Sequence, residues 1–229
     1  MPRIHFQQQL ATLKDKLLAM AALSQQALEL SVEAYLQRDT GLCDHVHDIE
    51  AAINAAERGV GEMAYELLAK EQPMAMDLRF IMAVIKINGD LERVGDQAVA
   101  IVKRCGELQK YDPNAGPENL PGDIAQMGAI AVKMIRRAIR SLLEGDPVLA
   151  EKVLDMDDEI DRLNHETQAA LRDEMMRRPE VTENALNSII VARNLERSAD
   201  HATNIAEDVI FWVRGSDVRH KAAAAAVLQ

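Results

Sequence analysis

Proline is the residue least able to sit inside a helix, and its seven occurrences in this 229-residue chain fall at 2, 73, 113, 117, 121, 147 and 179. Its ring removes an N–H and clashes with the preceding turn, costing about 3 kcal/mol in a helix interior, so these positions read as boundaries. Between them run long stretches with apolar residues at helical spacing. The pattern predicts six long helices, over residues 4–38, 42–70, 74–110, 123–144, 148–178 and 181–214. The segment YDPNAGPENLPG (111–122) carries three prolines and two glycines and reads as a linker. Composition agrees: 48% of residues are hydrophobic but only 3% are aromatic. Strands favour aromatic and β-branched residues, whereas helices favour Ala, Leu, Met, Glu, Lys and Arg. The expected fold class is therefore all-α.

Long–long–long, linker, long–long–long suggests duplication. Offset by 107 residues, Met20 meets Met127, Leu36 meets Leu143, Asp39 meets Asp146, Leu42 meets Leu149, Val46 meets Val153 and Ile53 meets Ile160. Further on the offset becomes 104, and LERVGD (91–96) falls on LERSAD (195–200). Such a repeat is too long for a solenoid unit. Two tandem, pseudo-symmetric three-helix bundles fit, over 1–110 and 123–215, with the linker 111–122 between them and a tail, 216–229, after them. The tail ends in low-complexity KAAAAAVLQ, read as a frayed helix end.

Charge excludes some functions. With 26 basic against 37 acidic residues, the net charge is −11, and neither a basic stripe nor stacking aromatics are present, so nucleic acid is not an expected ligand. No apolar run approaches about 18 residues, so direct membrane insertion is not expected. The start, MPRIHFQQQLATLKDKLL, lacks a continuous apolar core and is not expected to be a signal peptide. Cys43 and Cys105 form no CxxC, which suits a reducing compartment. There is no P-loop, GxSxG or strand-borne GxGxxG. Gly59, Gly61, Gly89 and Gly95 fall inside predicted helices, where close helix approach is the expected reason for them.

The informative residues are carboxylates. On the third helix, advancing about 100° per residue from Leu78, the residues Ile81, Met82, Ile85 and Val99 fall within about 60°, and so do Glu92 and Asp96. Two acids therefore lie on the stripe expected to be buried. On the sixth helix Glu196 and Asp200 share a sector with Ile189, and the polar line continues through Thr203, Asn204 and Glu207. In an antiparallel hairpin, residues equidistant from the turn share a level. About Pro73, Glu50 then faces Asp96 and Asn54 faces Glu92; in the second half Asp157 faces Asp200 and Asp161 faces Glu196. Crowded carboxylates repel one another and lose hydration, so they need protons, basic partners or a metal. Two readings stand: a ladder of salt bridges to Arg93, Arg193, Arg197 and Arg136, or a site for hard cations such as Mg²⁺, Ca²⁺, Mn²⁺ or iron, or for Zn²⁺. His201, next to Asp200, is an auxiliary candidate, whereas His45, His47 and His165 have no counterpart in the other half. No Glu-x-x-His occurs, which weighs against a ferritin-like di-iron oxidase.

The segments QPMAMDLRFIMAVIKINGDLERVGDQAVAI (72–101) and IIVARNLERSADHATNIAEDVIFWVRG (189–215), with VHDIEAAIN (46–54) and VLDMDDEID (153–161), resemble the PhoU family of bacterial phosphate-transport regulators. The resemblance implies two three-helix bundles and multinuclear metal clusters, iron foremost, with zinc, manganese or magnesium as alternatives. The implied ligands are Glu92–Asp96 with Glu50–Asn54, and Glu196–Asp200 with Asp157–Asp161, with Glu207, Asn204 and His201 as auxiliaries. Asn54 replaces a carboxylate and Lys103 occupies the place of Glu207, so the first site is expected to hold fewer ions or none. The resemblance further implies a non-enzymatic repressor of phosphate uptake and of the phosphate-starvation response. Such a protein would be cytoplasmic, drawn to the inner membrane by its partners, and often a homodimer. Its implied partners are the ATPase subunit of the phosphate ABC transporter and a sensor histidine kinase. The alternatives are a carboxylate-bridged metal-dependent enzyme and a bundle whose acids are merely salt-bridged.

Overall fold

The computed structural model describes residues 2–111, 119–216 and 218. Most of the expected linker and the KAAAAAVLQ tail lie outside these residues. Among the described residues all regular structure is helical: α1 (Pro2–Gln37), α2 (Thr40–Glu71), α3 (Ala75–Tyr111), α4 (Ile124–Glu144), α5 (Pro147–Leu154), α6 (Asp157–Arg177) and α7 (Thr182–Arg214). Helices α5 and α6 make one rod, so the architecture is six rods in two three-helix bundles. The unbroken helix expected over 148–178 is corrected at Asp155–Met156. There Asp155 N–H bonds Glu151 O at 3.1 Å and Met156 N–H bonds Val153 O at 3.0 Å, a local tightening to i−3. The chain then restarts with Asp157, Asp158 and Glu159 in the first turn of α6. Asp is a weak helix former in an interior, but acids are favoured by the positive end of the helix dipole.

The duplication extends to the capping chemistry. Arg38 (φ 57°) and Gly145 (φ 62°), equivalent at the 107 offset, both take the left-handed conformation that ends a helix. The next residues, Asp39 and Asp146, both cap the following helix. Asp39 accepts from Gly41 N–H at 2.8 Å, and Asp146 from Val148 N–H at 2.8 Å, with Pro147 supplying a preset φ in the first turn.

Helices α1, α2 and α3 pack together, as do α4, α5–α6 and α7; α3 also runs along α7 and α1 crosses α4. The bundles share one continuous core, in which Leu13, Leu17, Met20 and Ile53 of the first join Met127, Met134, Ile160 and Ile205 of the second, all fully buried. At the α1–α4 crossing a Cβ on Gly128 would sit 2.6 Å from Val32 Cγ1, so only glycine permits this approach. Tyr35 Oη and Ser188 Oγ, 2.8 Å apart and buried, join α1 to α7. Within the first bundle Gly95 is the helical glycine that meets its neighbour closely: a Cβ there would lie 3.0 Å from Ile53 Cδ1. Gly89 does not, since a Cβ there would meet nothing within 4 Å.

The stripe assigned to the core of α3 is also corrected. The buried face is Ile81, Val84, Ile87, Leu91, Val94, Ala98 and Ile101, whereas Leu78 and Met82 are each 40% exposed. A helix with apolar residues on more than one face admits several stripe assignments, and tertiary packing chose between them. Glu92 is half-buried at the margin of the core face, and Asp96 is exposed.

Candidate metal centre

In the second bundle, the break before α6 brings Asp157 into that helix's first turn, and Asp161 follows one turn later. On α7 Glu196 and Asp200 lie one turn apart. The four side chains form one electrostatic group across the α6–α7 seam. Loss of hydration, followed by the charges of Asp161, Asp200 and Asp158, pushes Asp157 up to about 6. Asp200 is likewise pushed up to about 6, by lost hydration and then by Glu196 and Asp161, against the opposing pull of His201 and Arg197. Glu196 is raised by lost hydration first and by Asp161, with Arg197 and Arg193 acting against the shift. Asp161 acts on all three of the others, so the four carboxylates expected to face one another lie within electrostatic reach across the seam. Asp157 Oδ1 is moreover buried with no hydrogen-bond partner.

The first bundle assembles a weaker version between α2 and α3. Glu92 is raised, chiefly by lost hydration and then by Asp96 and Glu57, with Glu50 adding to the shift and Arg93 opposing it. Here Asn54 Nδ2 donates to Glu50 Oε1, so the amide satisfies a carboxylate within its own helix. Glu57, seven residues after Glu50 on α2, was not singled out from sequence; its two-turn spacing from Glu50 is the signal that could have marked it.

The ion pairs seen among the described residues lie elsewhere. Arg136 reaches Glu29 at 2.7 Å, Arg162 pairs with Glu166 at 2.7 Å, and Lys86 approaches the buried Asp208 at 3.5 Å. His201 and Asn204 turn to Asp90 across the α3–α7 seam, at 2.9 and 3.3 Å. Glu207 is half-buried farther along α7. Asp90 carried no sequence signal, because its contacts join the two repeats. Among the described residues no set of three or more His, Cys, Asp or Glu side chains closes into a geometry that could hold a metal ion as it stands. The donor chemistry nonetheless fits a hard cation: four carboxylates, raised proton affinity at three of them, and one buried oxygen without a donor.

Fold and site together define a class: a tandem pair of three-helix bundles sharing one core, each with carboxylates gathered on its second and third rods. The chain matches the PhoU domain over residues 17–105 and again over 124–209. It is 37% identical to the phosphate-specific transport system accessory protein PhoU homolog of Pseudomonas aeruginosa, covering 94% of this chain and 88% of that one. It is 31% identical to the Rhizobium meliloti protein of the same name, over 92% and 88%. The crystal structure of PhoU from Pseudomonas aeruginosa superposes with a TM-score of 0.83 at 36% identity, over 92% of this chain and all of that one. A Streptococcus pneumoniae phosphate transport system regulatory protein, at 23% identity, shares the fold with a TM-score of 0.81. The chain belongs to the PhoU family.

Proposed function

We propose that this protein is a non-catalytic regulator of phosphate transport that restrains uptake and the phosphate-starvation response when phosphate is abundant. It acts as a metal-stabilised helical adaptor between the ATPase subunit of the phosphate ABC transporter and the sensor histidine kinase. The observation that carries this reading is the likeness to PhoU accessory proteins through both repeats. The adaptor works in the cytoplasm as a homodimer, drawn to the inner membrane by its partners. Among the described residues no helix is long and apolar enough to cross a membrane, which accords with peripheral recruitment.

Asp157, Asp161, Glu196 and Asp200 would hold the ions, iron foremost, with zinc, manganese or magnesium as alternatives. Glu50, Glu92 and Asp96 would make a poorer site, because Asn54 contributes an amide. A bound cation supplies positive charge that relieves repulsion across the seam. The chain's own part is to collect the oxygens: the α6 break aims Asp157 at α7, and the core behind Ile160 and Ala199, both fully buried, keeps the two rods in register. The α6–α7 seam thereby becomes rigid enough to present long helix faces to partners.

The test is affinity capture of the tagged full-length protein from cells grown in high and in low phosphate, with and without chelator. Recovery of the transporter ATPase and the sensor kinase in high phosphate, weakened by chelation, is expected. Recovery of neither under any condition would overturn the regulator reading.

A further inference from the structure

Cys43 and Cys105 are the two cysteines of the chain, and both are free thiols. Cys43 lies in the first turn of α2 and Cys105 toward the end of α3, sixty-two residues later. The α2–α3 hairpin brings them together. Cys43 Sγ lies 3.8 Å from Val102 O, one helical turn before Cys105, and the two thiols are near enough for each to act on the proton affinity of the other. Cys105 Sγ also lies 3.3 Å from Ala34 O, fully buried, while Cys43 is half-buried at the bundle margin.

The second repeat shows what packing alone asks of these positions. At offsets of 107 and 104, Cys43 corresponds to Ala150 and Cys105 to Val209, both fully buried in the core. Small apolar residues therefore fill the same places, and sulfur is not needed for the fold. Two neighbouring thiols, one reachable from solvent and one shielded, are the arrangement in which an oxidised sulfur is intercepted before it oxidises further. Disulfides in a reducing compartment are characteristically transient and redox-sensing.

We propose that Cys43 and Cys105 are a reversible modification site, closing a disulfide between α2 and α3 on exposure to hydrogen peroxide. The Cys43 thiolate attacks one peroxide oxygen. The O–O bond breaks, hydroxide leaves and takes up the thiol's proton as water, and the sulfur becomes a sulfenic acid. The Cys105 sulfur then attacks the sulfenic sulfur, the S–O bond breaks, and the departing hydroxide leaves with the Cys105 proton as a second water. In sum, two thiols and one peroxide give one disulfide and two waters, and a dithiol reductant reverses the bond by exchange. The order follows from burial: lost hydration raises both thiols, but Cys105 is fully buried and pushed up to about 12, whereas Cys43 is half-buried and within reach of peroxide. The bond would join α2 to α3 about two turns beyond the level of Glu50 and Asp96, fixing the register of the weaker carboxylate group.

The experiment treats the full chain with a modest excess of hydrogen peroxide, then measures intact mass, alkylatable thiols and thermal melting. Expected are the loss of two hydrogens in mass and of both free thiols, a monomolecular Cys43–Cys105 linked peptide, and a melting temperature several degrees higher, all reversed by a dithiol. Cys43→Ala and Cys105→Val, which install the residues of the second repeat, should each keep the fold and abolish the thermal gain. Sulfinic acid on Cys43 beside a free Cys105, an intermolecular dimer through Cys43, or unreacted thiols would each overturn the proposal.

Discussion

The two carboxylate groups occupy equivalent levels of equivalent helix pairs, yet their surroundings differ. In the first bundle α2 is continuous through Glu50 and Asn54, and the Asn54 amide donates to Glu50. In the second bundle the rod breaks, Asp157 begins a new helix, and one of its oxygens is buried without a donor. In the first group an amide answers one carboxylate; in the second, Arg193, Arg197 and His201 only partly offset the crowding, and Glu196 and Asp200 stay raised. Duplication thus preserved the scaffold while the chemistry of its halves diverged.

Metal retention should expose this difference most strongly. Glu196→Ala with Asp200→Ala is expected to remove most bound metal, and Glu92→Ala with Asp96→Ala far less. Elemental analysis of purified variants checks the ordering, and equal losses would break it. Asn54→Asp should narrow the gap by giving the first bundle a carboxylate where the second has Asp161. More metal per chain than wild type is expected after equilibration and desalting, and no gain would show that the amide is not what weakens the first site.

Proton linkage offers a third comparison, made on chelator-treated protein. Folded Asp157 and Asp200 titrate near 6, against an ordinary value of 3.8. The folded state therefore holds their protons more tightly than the unfolded chain does. Their stabilising contribution is complete below about pH 4 and is lost as pH rises through 6. Asp157→Asn with Asp200→Asn should accordingly exceed wild type in stability at pH 7.5, by about 1–2 kcal/mol after allowance for solvent screening, and lose that advantage at pH 4. Melts at the two pH values decide it, and a pH-independent difference would refute the crowding argument. The smallest effect is expected from Gly95→Ala, which gives the first bundle the residue found at Ala199. The new Cβ presses on the flexible end of Ile53, and the gain of about 1 kcal/mol in helix propensity offsets the contact. A change within about 1 kcal/mol in denaturant unfolding is expected; a larger loss would mean that the first seam packs more tightly than its twin.

Much of this arrangement was legible in the chain. Prolines and caps placed the rod ends to within about two residues, and the LERVGD and LERSAD pair revealed both the repeat and its acids. The centre read for the first hairpin, Pro73, is midway between the observed end of α2 and start of α3. Four things were not legible. The break at Asp155–Met156 contains no proline or glycine. The core face of α3 is one of several apolar stripes on that helix. Arg136, one of four basic partners in the salt-bridge reading of the acids, pairs instead with Glu29 of the other repeat. His201 and Asn204, read as auxiliaries to the acids, reach Asp90.

What the amino-acid order determined by itself is local and periodic: helix content, rod boundaries, duplication, and which helices carry the carboxylates. These follow from backbone sterics, capping and a turn of 3.6 residues, all of which act within a few dozen residues. What only the tertiary structure decided is the contact between the repeats and the inequality of their acid groups. Whether a carboxylate loses its water, meets an amide or is left without a donor depends on which distant side chains pack over it, and no local pattern encodes that.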